Sequence, residues 1–204
     1  MTIMTYPRIK RIFDFIFSFS CLLVFTPLFI VIGILIKLND GGPVFFRQKR
    51  VGQFGKLFIL YKFRTMKARA GSENGHFEPG DQSRITSAGK FLRSTKLDEL
   101  PQVINVLKGE MSFVGPRPEV EEWIKAYPEK WLQVLTVKPG ITDRASIEFR
   151  NEEKLLSESS NPKETYLKVI LPRKLDLCID YVNKNSFSED IRIILLTFKT
   201  VLLT

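Results

Sequence analysis

Hydrophobic positions are unevenly spread along this chain. Phe15 to Ile36 is a run of 22 residues without a formal charge, bracketed by Lys10-Arg11 and Lys37. As a helix it is about 33 Å long at ~1.5 Å rise per residue, enough to cross a bilayer core. A cleavable signal peptide fits poorly, because the run exceeds the usual apolar length and no small-x-small cleavage site follows. Thr26-Pro27 stands in the middle, where proline removes a helix hydrogen bond and bends the chain. Basic residues crowd both flanks: Arg8, Lys10 and Arg11 before, then Lys37, Arg47, Lys49 and Arg50 after. Such residues prefer the cytoplasmic side, and both flanks satisfy this only if the segment enters and leaves by one face. A re-entrant helical hairpin and a kinked spanning helix therefore compete. Asp14 is expected at headgroup depth, paired with Arg11 three residues back.

After the turn-rich Asp40-Gly41-Gly42-Pro43 the pattern changes period. Val44–Val51 and Lys56–Met66 are rich in β-branched and aromatic residues, and Gly52-Gln53-Phe54-Gly55 supplies a turn, which predicts a β-hairpin. Alternation puts Leu57, Ile59, Tyr61 and Phe63 on one face of the second strand, with Lys62 and Arg64 on the other. Two cations on one strand face suit a phosphate, or simply a solvated surface. Residues 71–83 read as a polar loop.

Helical spacing resumes at Ile85–Arg93 and again through Leu97, Leu100, Val103, Ile104 and Leu107. Pro101 belongs in the first turn of that second helix, so Asp98 or a neighbour is expected to cap it. Asp98 and Glu99 then sit at the positive end of a helix dipole, where carboxylates stay ionised. Capping and phosphate or metal chemistry are both open to them. In Val114-Gly115-Pro116-Arg117-Pro118, two prolines stiffen the turn that aims Arg117, which suits bidentate phosphate binding or a structural pair with a glutamate. Lys138-Pro139-Gly140-Ile141-Thr142 repeats the design. Glu119–Gln133 and Glu164–Lys184, the latter interrupted by Pro172, read as helices. A last apolar helix follows Ser186, with Glu189 in a capping-box position. Its stripe of Ile191, Ile194, Leu195, Phe198, Val201 and Leu202 suits a core or a membrane interface.

Charge sharpens this picture. The net charge is +9, but residues 1–70 hold 12 Lys/Arg against only Asp14 and Asp40, a net of +10. The excess flanks the apolar run, as on a surface pressed against anionic lipid. A nucleic-acid partner is not expected, since there are no zinc ligands and no binding signature. Cys21 and Cys178 are far apart and read as reduced thiols. The only histidine is His76. It lies in the polar loop, which leaves no Ser-His-Asp or Cys-His machinery.

Taken in order, several stretches carry a family resemblance. They are Lys10-Arg11-Ile12-Phe13-Asp14, Thr26-Pro27, Pro43-Val44-Phe45-Phe46-Arg47-Gln48 and Tyr61-Lys62-Phe63-Arg64-Thr65-Met66. Gly89-Lys90-Phe91-Leu92-Arg93, Leu97-Asp98-Glu99-Leu100-Pro101-Gln102 and Asn105–Ser112 follow. The last are Val114–Pro118 and Lys138–Thr142. Together they resemble the small monotopic phosphoglycosyl transferases, bacterial sugar transferases, over nearly the whole chain.

The resemblance implies a mainly α fold with a short β-hairpin. Residues 1–40 would form a membrane-associated re-entrant helix, with Lys10, Arg11, Asp14, Thr26 and Pro27 at the membrane. Residues 41–204 would form a catalytic domain with amphipathic surface helices on the cytoplasmic face of the bacterial inner (plasma) membrane. It implies transfer of a sugar-1-phosphate from a UDP-sugar to polyprenol phosphate, with Mg²⁺, UMP release and a first membrane step of polysaccharide or glycoconjugate synthesis. Asp98 would be the nucleophile and a metal contact, forming an aspartyl phosphosugar; Glu99 would assist. Lys62, Arg64, Arg93, Pro116, Arg117 and Arg144 would serve the substrates. One departure is Asp143-Arg144-Ala145-Ser146, where the family often has Gly-Trp-Ala; this segment is expected in the nucleotide or sugar pocket. Another is Thr26 for the commoner serine, whose hydroxyl makes the same backbone bond. The competing reading is a non-catalytic basic adaptor on anionic lipids.

Overall fold

The computed structural model describes residues 5–67 and 84–202, so the predicted loop with His76 lies outside the described residues. The molecule is mainly helical, with two small sheets.

Helix α1 runs Thr5–Asp40 with Pro27 inside it. Pro27 cannot donate a helix bond, and the preceding Thr26 hydroxyl takes up the Leu22 carbonyl at 2.5 Å. The first turns are fastened by polar contacts to three later elements. Arg11 donates to the carbonyls of Val106 (2.7 Å) and Leu107 (2.9 Å), Asp14 accepts from the Phe113 backbone N–H (3.1 Å), and Lys10 meets Asp190 (2.5 Å). The expected Arg11–Asp14 pair is therefore replaced. Each side chain instead satisfies a backbone group of the globular part, since burying either without a partner is costly.

Strands β1 (Phe45–Val51) and β2 (Leu57–Phe63) form the predicted antiparallel hairpin, paired Phe45 with Phe63 through Val51 with Leu57. Phe54 (φ 57°) and Gly55 (φ 75°) turn the chain between them. The alternation of faces holds, but Leu57 is exposed and both sides of β2 pack. Phe58 and Leu60 meet Val106 and Met111 on the Lys62 side, and Phe63 meets Ile32, Ile36 and Leu92 on the other. Alternation predicts a single dry face; a strand covered on both sides breaks that rule.

Helix α2 (Ser87–Ser94) is capped by Thr86, whose hydroxyl accepts from Gly89 N–H. A 3₁₀ turn, Leu97–Glu99, precedes α3 (Gln102–Lys108). Pro101, not Asp98, occupies the cap position of α3, and no side chain caps it. Asn105, fully buried, stitches α3 to β2. Its amide donates to Ile59 O (2.6 Å) and Glu110 (2.7 Å), and its oxygen accepts from Tyr61 N–H (3.1 Å).

Strands β3 (Ser112–Val114) and β4 (Gly140–Thr142) pair in parallel. Between them lie α4 (Glu121–Ile124) and α5 (Pro128–Val134). The single helix expected over 119–133 is split, because Pro128 starts a new helix rather than continuing the old one. Helices α6 (Arg144–Glu148), α7 (Glu152–Ser157) and α8 (Pro162–Thr165) lead through a π turn, Tyr166–Ile170, into α9 (Leu171–Lys184). That π turn sits directly before Pro172, where the i→i−4 ladder loses a donor.

The largest core cluster joins Trp123, Trp131, Leu156, Tyr166, Leu171 and Leu175. Helix α10 (Phe187–Leu202) starts with the Ser186 hydroxyl accepting from Glu189 N–H, as the capping pattern predicts. It buries Ile193 against Val114 and Tyr181 but leaves Leu195 and Phe198 exposed. Both cysteines are free.

The β3–β4 approach depends on two glycines back to back. A Cβ on Gly140 would lie 2.1 Å from Gly115 N, and one on Gly115 would lie 2.5 Å from Lys138 O. Because backbone cannot yield as a side chain does, Gly140→Ala is expected to destabilise by about 3 kcal/mol or more, whereas a loss below about 1 kcal/mol in detergent unfolding would mean the two turns part freely.

Candidate active site

The Asp98-Glu99 dyad is presented by the 3₁₀ turn. The residue before that turn, Lys96, has φ 59° and ψ 14°, a left-handed conformation that costs a non-glycine residue of order ~1 kcal/mol. This reversal sends the two carboxylates into the protein, where Asp98 is buried.

Glu99 is saturated. Lys62 on β2 donates to its Oε1 at 3.0 Å. Arg117 grips it with both terminal nitrogens, Nη1 to Oε2 at 2.9 Å and Nη2 to Oε1. Burial pushes the Glu99 carboxyl up, but Arg117 and Lys62 more than reverse this and hold it well below the usual range. The Arg117 guanidinium is in turn held charged by Glu99 against the opposite pull of burial. Lys62 shows the balance going the other way, with burial lowering its pKa despite Glu99.

Asp98 differs. Its Oδ1 is buried with no hydrogen-bond partner among the described residues. Burial, with the Glu99 charge adding to it, raises the Asp98 pKa; Lys62, Lys96 and Arg117 oppose without cancelling the shift. The expectation of a helix-dipole carboxylate held low is thereby corrected. Asp98 faces no long helix start, and desolvation dominates. Two adjacent carboxylates thus carry opposite shifts, one committed to structure and one left open.

The aim of Arg117 comes from the Gly115–Gly140 contact and from Asp143. Gly140 N–H donates to Pro116 O at 3.0 Å. The Asp143 carboxylate accepts from Arg117 N–H (3.2 Å) while its other oxygen caps α6 at Ser146 N–H (2.6 Å). Behind this turn lies a second buried network. Glu119 accepts from Arg50 (3.1 Å) and from the Tyr166 hydroxyl (2.6 Å), and Lys174 lies 3.8 Å from Glu119 and 3.0 Å from Glu152. Arg50 also donates to Pro118 O at 3.1 Å, tying the network to the Pro116-Arg117-Pro118 turn.

Of the residues predicted for the site, the structure gathers Asp98, Glu99, Lys62, Arg117 and the Pro116 turn. Three others are engaged elsewhere. Arg64 is buried against Gly42 and lines a small cleft with Ile36, Met66 and Thr86. Arg93 donates to Thr65 Oγ1 (3.0 Å) and Glu153 (3.2 Å). Arg144 bonds Glu189 and Asp180, so it bridges α6 to α9 and α10. Sequence reasoning gave no role to Glu119 and Lys174, and named Asn105 and Asp143 only within longer stretches; buried polar groups at scattered positions leave no periodic signal, since the partners are brought together only by folding. Among the described residues no group of three His, Cys, Asp or Glu side chains is placed to hold a metal alone.

Comparison with known proteins places the sequence in a family. The model of the bacterial sugar transferase family matches residues 5–204. The chain is 37% identical over 196 residues to the "Uncharacterized sugar transferase EpsL" of Bacillus subtilis, covering 96% of this chain and 88% of that one. It is 40% identical over 176 residues to the "Galactosyl transferase CpsE" of Streptococcus agalactiae, covering 81% of this chain and 36% of that one. To a "UDP-glucose:undecaprenyl-phosphate glucose-1-phosphate transferase" of Escherichia coli it is 36% identical over 193 residues, covering 93% of this chain and 39% of that one. It therefore spans most of EpsL but little more than a third of the other two. The chain belongs to the bacterial sugar transferase family.

The raised Asp98 pKa has a sign that can be checked. A carboxyl whose folded pKa is raised lends stability when protonated, and that stability is lost as pH rises through the folded value. Asp98→Asn removes this loss, so the unfolding midpoint at pH 7 should rise by about 2–4 °C, the effect of ~1 kcal/mol in a domain this size. The gain should shrink as pH falls below the folded pKa of Asp98. A midpoint lowered by Asp98→Asn at pH 7 would contradict the assignment.

Proposed function

We propose that this chain is a phosphoglycosyl transferase that moves a sugar-1-phosphate from a UDP-sugar to polyprenol phosphate, with Asp98 as nucleophile. The observation that carries the proposal is the buried Asp98 oxygen without a partner, set among Lys62, Lys96 and Arg117. A carboxylate kept for structure would be bonded, as Glu99 is. The name of the Escherichia coli relative supplies the substrate class. A basic adaptor on anionic lipid would give no reason for a buried, unsatisfied carboxylate.

In the first half-reaction an Asp98 carboxylate oxygen attacks the sugar-bearing phosphorus. The bond from that phosphorus to the bridging oxygen breaks, and UMP leaves with that oxygen and the electron pair. In the second, a phosphate oxygen of the acceptor attacks the same phosphorus and expels the Asp98 carboxylate, leaving a polyprenol diphosphosugar. Covalent catalysis of this kind lets one site take a soluble donor and a lipid acceptor in turn. Arg117 and Lys62, fixed by Glu99, present positive charge where phosphate charge develops. Glu99 acts through them and holds them in place.

The donor set fits Mg²⁺, an ion that takes one or two carboxylates and completes its shell with substrate phosphates and water. Asp98 is the available carboxylate and no all-protein cage exists among the described residues. When bound, the ion would offset the repulsion between a carboxylate and a diphosphate.

The membrane reading is a re-entrant α1 on the cytoplasmic face of the inner membrane. Its support is that both ends of α1 pack on one globular body. Arg11 and Asp14 bond α3 and β3, while Ile32 and Ile36 pack on Phe63 and Leu92. A polar domain cannot sit on both sides of a bilayer. The residues left exposed, among them Phe19, Leu23, Val24 and Ile30, lie on both sides of Thr26-Pro27 in the sequence. The exposed Leu195 and Phe198 of α10 suit an amphipathic helix at the same surface.

Wild-type protein with polyprenol phosphate and Mg²⁺ should release UMP from at least one of a panel of UDP-sugars. Asp98→Asn should lower the rate by about 10³-fold or more, as expected for loss of a covalent nucleophile. Full activity in that variant would remove Asp98 from the chemistry. For topology, single cysteines placed at Arg8 and Lys37 in a cysteine-free background should both react with a membrane-impermeant maleimide applied from the cytoplasmic side. Labelling from opposite sides would make α1 a span.

A further inference from the structure

Asp98 Oδ1 is not alone in lacking a partner. Gln102 Nε2 is also buried without a hydrogen bond among the described residues. Gln102 is 1% exposed and Asp98 7%. They stand four residues apart, Asp98 in the 3₁₀ turn and Gln102 at the first position of α3, with only Glu99, Leu100 and Pro101 between them. A buried donor with no acceptor costs about 1–3 kcal/mol, so folds keep few of them. The neighbouring amide one turn on, Asn105, shows the usual outcome, with both its oxygen and its nitrogen bonded.

The two unsatisfied groups are complementary but not bonded to each other. One is an anion that needs an electrophile or cation; the other is an amide N–H that needs an oxygen. A phosphoryl group supplies both. We infer that Gln102 is a further catalytic residue, whose Nε2 donates to a non-bridging oxygen of the phosphoryl group that Asp98 attacks. This rests on the proposed function and deepens it. Charge on those oxygens changes as the phosphorus passes from UMP to Asp98, and a fixed donor aimed there lowers the barrier. Gln102 neither gains nor loses a proton; the bond changes are those at phosphorus already described. Its neutrality has a consequence. Unlike Lys62 or Arg117, it adds a donor without drawing the Asp98 charge into an ion pair that would blunt the nucleophile.

The test is Gln102→Met, which keeps side-chain length and removes the donor. Replacing an unpaired buried polar group with an apolar one of similar shape should leave stability unchanged or higher. The expected result is an unfolding midpoint at or above wild type, together with UMP release at saturating donor reduced about 100-fold, the scale of losing one transition-state donor. Gln102→Glu, which exchanges the donor for an acceptor in the same shape, should be at least as impaired. Wild-type turnover in Gln102→Met overturns the inference while leaving the proposed function standing. A lowered midpoint in Gln102→Met also overturns it, because Gln102 would then have a structural partner. If wild type releases no UMP from any UDP-sugar, the proposed function fails and this inference falls with it.

Discussion

The contact on which the rest of this site depends is the partly buried Glu99 carboxylate held between Lys62 and Arg117. It joins three segments that are remote in sequence: strand β2, the 3₁₀ turn and the Pro116-Arg117-Pro118 turn. Taking a carboxylate and two cations out of water costs several kcal/mol per ion, and only good geometry returns it. Removing one member would leave the others partly buried and uncompensated, which is destabilising. The arrangement is therefore weak as a source of net stability but strong as a constraint on position. It leaves two cations immobile at a place where a flexible lysine and arginine would otherwise have to be ordered by substrate.

That constraint extends to α1 through a short chain of polar contacts. Asn105 fixes α3 to the edge of β2, so the dyad that precedes α3 and the Lys62 of β2 move as one piece. Arg11 meets the other end of α3, donating to the Leu107 carbonyl and to the Val106 carbonyl, which also accepts from Gly109 N–H. Asp14 ties the same stretch of α1 to β3, and Lys10 ties it to α10. The apolar helix is thus joined to the site by one rigid seven-residue helix. On a membrane surface this would set the height of Asp98 relative to the headgroups, where a lipid phosphate must arrive.

Local patterns carried some of this and missed the rest for definable reasons. The hairpin, the apolar N-terminal segment and the stiff aim of Arg117 were legible because turn chemistry and periodicity act over a few residues. The face of β2 was not, because α1 covers one side and α3 the other, so alternation has no dry and wet face to report. The Arg11–Asp14 pair fails for a related reason. Spacing finds neighbours on one helix, but each residue has a stronger claim from a backbone group far along the chain. The resemblance implies a substrate role for Arg64, Arg93 and Arg144; in the structure Arg93 and Arg144 bond Thr65, Glu153, Asp180 and Glu189, and Arg64 packs on Gly42. The left-handed Lys96 leaves no trace at all, since nothing about lysine announces a positive φ. Gly115 and Gly140, by contrast, were visible as turn residues, although their actual demand is close approach of two backbones.

Natural folds bond nearly every buried polar group, and this one does so around Glu99, Asn105, Asp143 and Glu119. Against that background Asp98 Oδ1 is conspicuous, because three cations are near enough to affect its charge and none has closed on it. Glu99 accounts for this. By occupying Lys62 and Arg117, it keeps their charges close to Asp98 while denying it a direct pair. Burial raises the Asp98 pKa, and the nearby Lys62, Lys96 and Arg117 charges oppose that shift without forming a direct pair with it. The adjacent carboxylates thus differ in kind: Glu99 is saturated by two cations, and that saturation is what leaves the buried Asp98 oxygen open.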